Sequence, residues 1–380
     1  MDEMTPTASW TVTQPWRGIF GLVVTLGAMM IVTSCFDIKT YLGPFTAILM
    51  WNVPIVAIIA AGWQAQYPST EGIPQPWKGF LLTALAILLG GILTTFFFVN
   101  FLASGAATPF IGIQGVITVC VTFYLVIAFG MWPFSKLSLP AKGFLTLILA
   151  YIIGWFVTML ANFSVMTHAK GIIESPVFKV PFYAKGGPFE VFAGIAPMGP
   201  IPWESFVAYI ITTFVFFFSF VALQFWPFNK SPGLMKQPVM GIVVVIACAV
   251  LGYILYIIGV AGLKIVPLTL MLYDVCFLFG LLMILNMFEM WPGRTIKSPV
   301  GCGFLNIVVA IVVGIVAYYG IRAFCTWHFG AEALHYPNDV FAMANLMLGM
   351  AFPAWALYAA CWNFWPLPPT PPPPDSPGPE

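Results

Sequence analysis

The sequence predicts an all-α polytopic membrane protein with ten transmembrane helices, arranged as five tandem, parallel-oriented helical hairpins. Hydrophobic residues make up 61% of the 380 residues and charged residues only 7%, whereas soluble domains average about 45–50% and about 25%. Mean hydropathy is +0.96. Apolar runs long enough to cross a bilayer occur ten times, and proline, glycine and tryptophan recur at matching places around them. The few charges cannot cover a soluble surface, which excludes soluble enzymes, nucleic-acid binders and secreted disulfide scaffolds.

The ten apolar runs have about the 20 residues that a helix needs to span the hydrocarbon core of a bilayer. We place the helices at about 15–34, 44–66, 76–101, 109–131, 140–166, 202–225, 238–262, 267–290, 299–325 and 337–364. The N-terminus is acidic and polar rather than basic, so we expect the first run to be a retained helix and not a signal peptide.

The odd-numbered helices share a proline at the start and glycines further along. Proline is tolerated in the first helical turn because its missing N–H is not needed there. In four of the five helices a glycine follows three residues later, and in four of the five another glycine stands eleven residues after the first. Eleven residues are close to three turns, so both glycines lie on one face, where small residues let membrane helices approach closely. The predicted packing glycines are Gly79, Gly90, Gly143, Gly154, Gly241, Gly252, Gly303 and Gly314.

The even-numbered helices also open on a proline, and each is followed by an aromatic–proline pair. The aromatic residues are expected to anchor the helices at the membrane interface, and the prolines to end them. The predicted anchors are Tyr67, Trp132, Trp226, Trp291 and Trp365. The last helix also contains Pro353, so we expect a kink there.

This punctuation divides a single transmembrane domain, 1–366, into hairpins at about 15–68, 76–133, 140–227, 238–292 and 299–366. The third hairpin holds an insertion at about 167–201, rich in Gly, Pro and Phe, which we expect to form an outer lid or a docking surface. We expect the proline-rich residues 367–380 to form a disordered tail, either a solvated end or a docking segment. The alternative to a repeat is that proline and tryptophan only mark membrane boundaries.

Positive charges favour an orientation with both termini in the cytoplasm. The termini and the even-to-odd loops carry eight Lys and Arg residues near helix ends, whereas the other side carries six, three of them in the insertion. Short loops rich in Lys and Arg stay inside, so the insertion is expected outside. We expect an integral protein of a prokaryotic inner membrane, surrounded by lipid, with a second copy or other membrane subunits as candidate partners.

Tandem hairpins of one orientation are related by an axis along the membrane normal, and five of them can close into a ring with a quasi-fivefold axis. That axis is a natural path, so the first hypothesis is a channel or secondary transporter for a small neutral or anionic solute. In the alternative, an irregular bundle docks to other proteins as a non-catalytic subunit of a respiratory, redox or other membrane complex. No catalytic constellation supports an enzyme, and no cofactor other than lipid is expected.

Few polar side chains lie within the predicted helices, so these few are the candidates for a transport path. They are Asp274, Asn52, Gln114 and Asn345. Asp274 either forms a functional polar site or is satisfied by a neighbouring helix, and the amides either line a path or hold helices together. The triplets 96–98 and 216–218, all phenylalanine, either provide bulk packing and lipid contact or form a hydrophobic gate.

The polar loop before the last helix contains weak candidates for metal ligation. His328, Glu332 and His335 would share one face if the segment were helical, and their side chains are types that a transition metal accepts. Gly330 and Pro337 disfavour such a helix, and the alternative is a solvated outer loop. The seven cysteines show no zinc or iron–sulfur spacing.

Overall fold

Ten apolar helices dominate the structure, a computed structural model that describes residues 13–102, 109–163, 190–192, 194 and 196–368. Each is long and apolar enough to cross a membrane, which confirms the prediction of an all-α, multi-pass integral membrane protein. They are α1 (Trp16–Ser34), α2 (Ile38–Gly62), α3 (Trp77–Asn100), α4 (Phe110–Ala128), α5 (Leu139–Thr158), α6 (Trp203–Ala222), α7 (Val239–Gly262), α8 (Pro267–Asn286), α9 (Pro299–Phe329) and α10 (Asn338–Ala360).

One pair of very short strands joins the two ends of the predicted insertion. β1 (Ala161–Asn162) runs parallel to β2 (Ile201–Pro202). Most of the insertion itself, with the predicted lid or docking surface, lies outside the described residues, as does the tail beyond Pro368.

Several helices differ from the expected boundaries or regularity, among them α5, which ends at Thr158 and not at about residue 166. α2 begins at Ile38, before the predicted start, and Gly43 interrupts it with φ −93° and ψ −107°. α9 continues to Phe329, four residues beyond the predicted end. α10 contains a π-helical stretch at Asn345–Ala351, so the irregularity expected near Pro353 begins about two turns earlier. Such wide turns are uncommon and occur often at functional sites.

Burial alternates along the chain. In the most apolar stretch of each even-numbered helix 61–83% of the residues are buried, compared with 22–33% in the odd-numbered helices. The even-numbered helices therefore form the interior and the odd-numbered helices cover it. The outward faces of the latter carry exposed apolar side chains such as Val23, Phe156, Ile246 and Val316, which suits contact with lipid tails.

The eight predicted packing glycines lie where one helix touches another. A Cβ atom on any of them would fall closer than 3.0 Å to an atom of a neighbouring helix or helix end. The first glycine of a pair faces the end of one even-numbered helix: Trp362 for Gly79, Trp63 for Gly143, Phe129 for Gly241 and Leu223 for Gly303. The second faces the middle of a different even-numbered helix: Asn52 for Gly90, Thr118 for Gly154, Thr213 for Gly252 and Cys276 for Gly314.

Replacing Gly314 by alanine is expected to destabilise the protein by about 1–3 kcal/mol, the usual cost of extra atoms in a packed interior. The new methyl group would meet the carbonyl oxygen of Cys276 at 2.7 Å, and backbone cannot rotate away as a side chain can. Gly320 on the same helix is the matched control, because nothing lies within 4 Å of a Cβ there. Gly320→Ala should keep or slightly raise stability. Thermal unfolding in detergent measures both variants, and equal midpoints would contradict the close approach.

Polar side chains also join the starts of odd-numbered helices to the ends of even-numbered ones. Three glutamines each donate to a backbone carbonyl oxygen: Gln14 to Met287 at 3.1 Å, Gln75 to Cys361 at 2.7 Å and Gln237 to Ala128 at 2.7 Å. Asn306 of α9 is fully buried and forms hydrogen bonds with the backbone that follows α8. Its amide oxygen accepts from the Gly293 N–H at 3.0 Å, and its amide nitrogen donates to the Met290 carbonyl oxygen at 2.9 Å.

Arg17 makes the corresponding contact between α1 and the segment that follows α10. The side chain is only 1% exposed. Its guanidinium donates to the carbonyl oxygens of Pro368 at 2.7 Å and Asn363 at 3.2 Å, and lies 4.5 Å from the ring centre of Phe364. Charge-assisted hydrogen bonds of this kind are stronger than neutral ones, so the first helix is tied to residues near the other end of the chain.

Each even-numbered helix is followed by the same backbone feature. Two consecutive residues with positive φ stand directly before four of the aromatic–proline pairs and one residue further away in the first: Gln64 and Ala65, Gly130 and Met131, Gln224 and Phe225, Glu289 and Met290, Asn363 and Phe364. Left-handed residues end a helix by turning the chain away from its axis. The five predicted anchors therefore all stand just beyond a helix end, half-buried or exposed, where interfacial aromatic residues are expected.

Candidate functional site

A cavity of about 390 Å³ lies where the five even-numbered helices meet. Its lining residues belong to α2, α4, α6, α8 and α10, and none belongs to the described parts of the odd-numbered helices. Each of these helices contributes apolar side chains to the wall, for example, in the same order, Met50, Val116, Ile211, Met271 and Leu348. Cavities of about 300–1,000 Å³ with mostly apolar walls are the usual form of small-ligand sites, so this central cavity is the candidate site.

The central cavity is polar at one end, which we call the lysine end. Lys39, Thr46, Asn338 and Asn345 line it, and Lys39 is exposed, so the cavity reaches the surface there. The amide nitrogen of Asn345 donates to the Thr46 hydroxyl at 2.6 Å, and that hydroxyl donates to the Tyr41 carbonyl oxygen at 2.6 Å. Both side chains stand at irregular points of their helices, one just after the break in α2 and the other at the start of the π-helical stretch of α10.

The opposite end is closed by four rings that we call the phenylalanine plug: Phe123, Phe214, Phe218 and Phe352. The ring centre of Phe123 lies 5.8 Å from that of Phe214, 5.6 Å from that of Phe218 and 5.2 Å from that of Phe352. Each of the four side chains is at most 6% exposed. Asn338 at the lysine end and Phe352 stand fourteen positions apart on α10, a distance of about 21 Å at 1.5 Å per residue.

Of the four predicted path residues, only Asn345 lines the cavity. Asp274 is 6% exposed and accepts a hydrogen bond from the Thr212 hydroxyl of α6 at 2.6 Å, which corresponds to the alternative of a carboxylate satisfied by a neighbouring helix. Asn52 faces α3. Gln114 is 1% exposed and also lies away from the cavity wall.

Replacing Asp274 by asparagine is expected to change the free energy of unfolding by less than about 1 kcal/mol, because an amide oxygen can still accept from Thr212. Solute flux should also stay nearly unchanged, because the side chain does not line the cavity. Flux in proteoliposomes and thermal unfolding check the two statements separately. A large loss of flux with unchanged unfolding would place the carboxylate in the path.

The structure does not bring the weak metal candidates onto one helix face. α9 ends just before Gly330, whose φ of 83° turns the chain, and Glu332 and His335 follow outside the helix. The Nε2 atom of His328 lies 2.9 Å from the Phe36 carbonyl oxygen, within hydrogen-bond distance. Within the described ranges no group of three His, Cys, Asp or Glu side chains is placed to hold a metal ion. The continuous helix on which the metal hypothesis depended is therefore not formed.

Sequence reasoning found only part of the plug. In the first predicted triplet, Phe97 is exposed on α3, where lipid would contact it, and in the second only Phe218 lines the cavity. Phe123 and Phe352 stand alone in apolar runs, so nothing in their neighbourhood marks them. The lysine end had one available signal, the Gly43–Pro44 pair, because that dipeptide interrupts a helix.

This arrangement can admit a small solute at the lysine end and hold it against apolar walls while the plug blocks the other end. The polar groups at the entrance can orient a solute, and the apolar walls can bind its carbon skeleton. Comparison of the chain with protein-family models, with curated proteins and with solved structures gives no match, so this geometry alone carries the functional inference.

Proposed function

We propose that the protein is a channel or secondary transporter for a small neutral or anionic solute, which crosses the membrane between the even-numbered helices. The observation that carries the proposal is the central cavity, with walls from five helices, a lysine at one end and a plug at the other. A path closed at one end suits a gated channel or an alternating-access transporter. Among the described lining residues Lys39 is the only charged one, which favours a neutral or anionic solute over a cation.

We also propose that the chain is five tandem hairpins closed into a ring. Helix contacts support this, because each odd-numbered helix packs against the even-numbered helices of the two preceding hairpins: α5 on α2 and α4, α7 on α4 and α6, α9 on α6 and α8. The pattern continues across the chain ends, since α1 contacts α8 and α10, and α3 contacts α10 and α2. The even-numbered helices would then surround the axis in the order α2, α4, α6, α8, α10 and back to α2.

Two further features favour a true internal repeat over shared boundary composition. The pairs of positive-φ residues stand beyond the five even-numbered helices, whereas the described segments that follow odd-numbered helices contain only the single residues Lys264 and Gly330. The glutamines that precede α1, α3 and α7 all donate to the end of an even-numbered helix. A preference of proline and tryptophan for membrane boundaries would place these residues at both surfaces. It would not explain why the glutamines contact the end of an even-numbered helix each time.

For the orientation, we propose that both termini face the cytoplasm across a prokaryotic inner membrane. The excess of Lys and Arg in the even-to-odd loops supports this, by the rule that such loops stay inside. The lysine end of the cavity, at the start of α2, would face outward, and the phenylalanine plug would lie on its cytoplasmic side. Lipid would surround the odd-numbered helices.

Flux measurements on the purified protein in liposomes test the proposed function. Chloride, nitrate, urea, glycerol and the organic anion hexanesulfonate serve as probes, with empty liposomes as the baseline. We expect flux of at least one probe above the baseline, either in the wild type or after the plug is opened by Phe123→Ala. No flux in either protein, with cooperative unfolding intact in both, would overturn the proposal and favour a subunit of a larger complex, to be sought by co-purification.

A further inference from the structure

We infer that the solute is an amphipathic organic anion with one carboxylate-like or sulfonate-like head and a short apolar tail. This inference rests on the proposed function and names the solute class for the same cavity. The head would lie at the lysine end, and the tail would point towards the phenylalanine plug.

The walls of the cavity change character along its length. The polar lining side chains stand between the opening and Asn345. From Asn345 to Phe352, about 10 Å along α10 at 1.5 Å per residue, the walls are apolar, with side chains such as Met50, Val119 and Leu282. Cys120 lies in the same region and behaves as a small hydrophobe. A solute that fills this space needs one polar end and one apolar end.

The lysine end supplies one positive charge. Asp37 stands two residues before Lys39, yet its carboxylate accepts hydrogen bonds from the backbone N–H groups of Lys39 and Thr40 and from the Thr40 hydroxyl. These bonds, the one from the Thr40 N–H first, hold the pKa of the Asp37 carboxyl below its usual range. Three acidic residues stand close to the starts of α2, α6 and α10, namely Asp37, Glu204 and Asp339. None of them lines the cavity.

Other solute classes fit these walls less well. A bare inorganic anion would lose its water in an inner half whose described side chains offer only the weak S–H donor of Cys120, which is costly. A cation would meet Lys39 at the opening. A wholly apolar molecule would make no use of the Lys39 charge at the opening. An amphipathic anion matches both halves, because each buried methylene of its tail adds favourable transfer energy.

Three probe molecules distinguish the contribution of the charged head from that of the apolar tail. Hexanesulfonate has both, methanesulfonate has the head without the tail, and hexyltrimethylammonium has the tail with the opposite charge. A sulfonate stays ionised at neutral pH, so it does not cross the bilayer passively as a protonated acid would. Uptake into proteoliposomes measures transport, and calorimetric titration of the full protein in lipid nanodiscs measures binding.

We expect hexanesulfonate to bind and be taken up at least about tenfold better than methanesulfonate, because its additional methylenes become buried. Hexyltrimethylammonium should neither bind nor compete. Lys39→Gln should weaken hexanesulfonate binding by about three- to tenfold through the lost charge. Lys297→Gln is the matched control, since this exposed lysine stands at the start of α9, at the opposite end of the bundle.

The outcomes that overturn the inference differ from those that overturn the proposed function. Equal uptake of chloride, methanesulfonate and hexanesulfonate would overturn the solute class and leave the channel or transporter in place. No uptake of any probe, together with Lys39-dependent binding of hexanesulfonate, would overturn transport and keep the ligand class. Equal binding of hexyltrimethylammonium, or binding that Lys39→Gln leaves unchanged, would reduce the interaction to partition into an apolar cavity and overturn the inference.

Discussion

Replacing Phe123 by alanine is expected to raise solute flux through proteoliposomes by more than about tenfold, the factor for a barrier lowered by about 1.4 kcal/mol. Phe123 is the ring that contacts all three other members of the plug, at centre-to-centre distances of 5.2–5.8 Å. Its removal opens a gap in a layer of apolar rings. A wider apolar constriction is more easily wetted, and dewetting is what closes a hydrophobic gate.

Two comparisons separate gating from damage to the fold. Phe97→Ala removes a ring that is 53% exposed on α3, so it should leave both flux and unfolding unchanged. Phe123→Leu keeps more of the volume and should give an intermediate flux. Because truncating a core phenylalanine costs about 3–5 kcal/mol, thermal unfolding must show that the alanine variant is folded. A folded Phe123→Ala protein with wild-type flux would mean that the plug is not the gate.

Replacing Asn306 by leucine is expected to lower the free energy of unfolding by about 2–4 kcal/mol, since each buried polar group left without a partner costs about 1–3 kcal/mol. Leucine has a similar shape, but it can neither accept from the Gly293 N–H nor donate to the Met290 carbonyl oxygen. Gly293 is buried, so water does not readily replace the bond that its N–H loses. The end of α8 would then detach more readily from α9.

Asn100→Leu is the matched control for this prediction. Asn100 is exposed and donates only within its own helix, to the Phe96 carbonyl oxygen at 2.8 Å. Unfolding in mixed micelles with increasing SDS compares the two variants with the wild type. Equal midpoints for Asn306→Leu and Asn100→Leu would show that the contact between α9 and the end of α8 contributes little.

The helices could be predicted from the sequence because a bilayer demands about 20 apolar residues per crossing. This requirement leaves a strong signal, and all ten spans lie where the apolar runs place them. The glycines at helix contacts were also readable, because a repeated spacing of eleven residues identifies a shared face. The break at Gly43 and the end of α9 at Gly330 depend on local backbone angles, which apolar length does not determine.

The cavity was much harder to predict, because a run of apolar residues gives the depth of a side chain and not the direction in which it points. Asp274 shows the difficulty. It stood out as the one acidic residue deep in a predicted helix, yet its neighbours Met271 and Val275 line the cavity and Asp274 does not. The plug is harder still to predict. Phe123 and Phe352 come into contact because α4 and α10 pack on opposite sides of the cavity, and the sequence of either helix alone does not show this.

The contacts of α1 have a consequence for how the protein is made. Gln14 and Arg17 bind carbonyl oxygens that lie 273 to 351 residues further along the chain. At about 5–20 residues per second, a ribosome needs some tens of seconds to reach those partners. α1 can therefore complete its contacts only after α10 and the segment that follows it have been made. A chain released before Asn363 would leave Arg17 of α1 without its two carbonyl partners, Asn363 and Pro368.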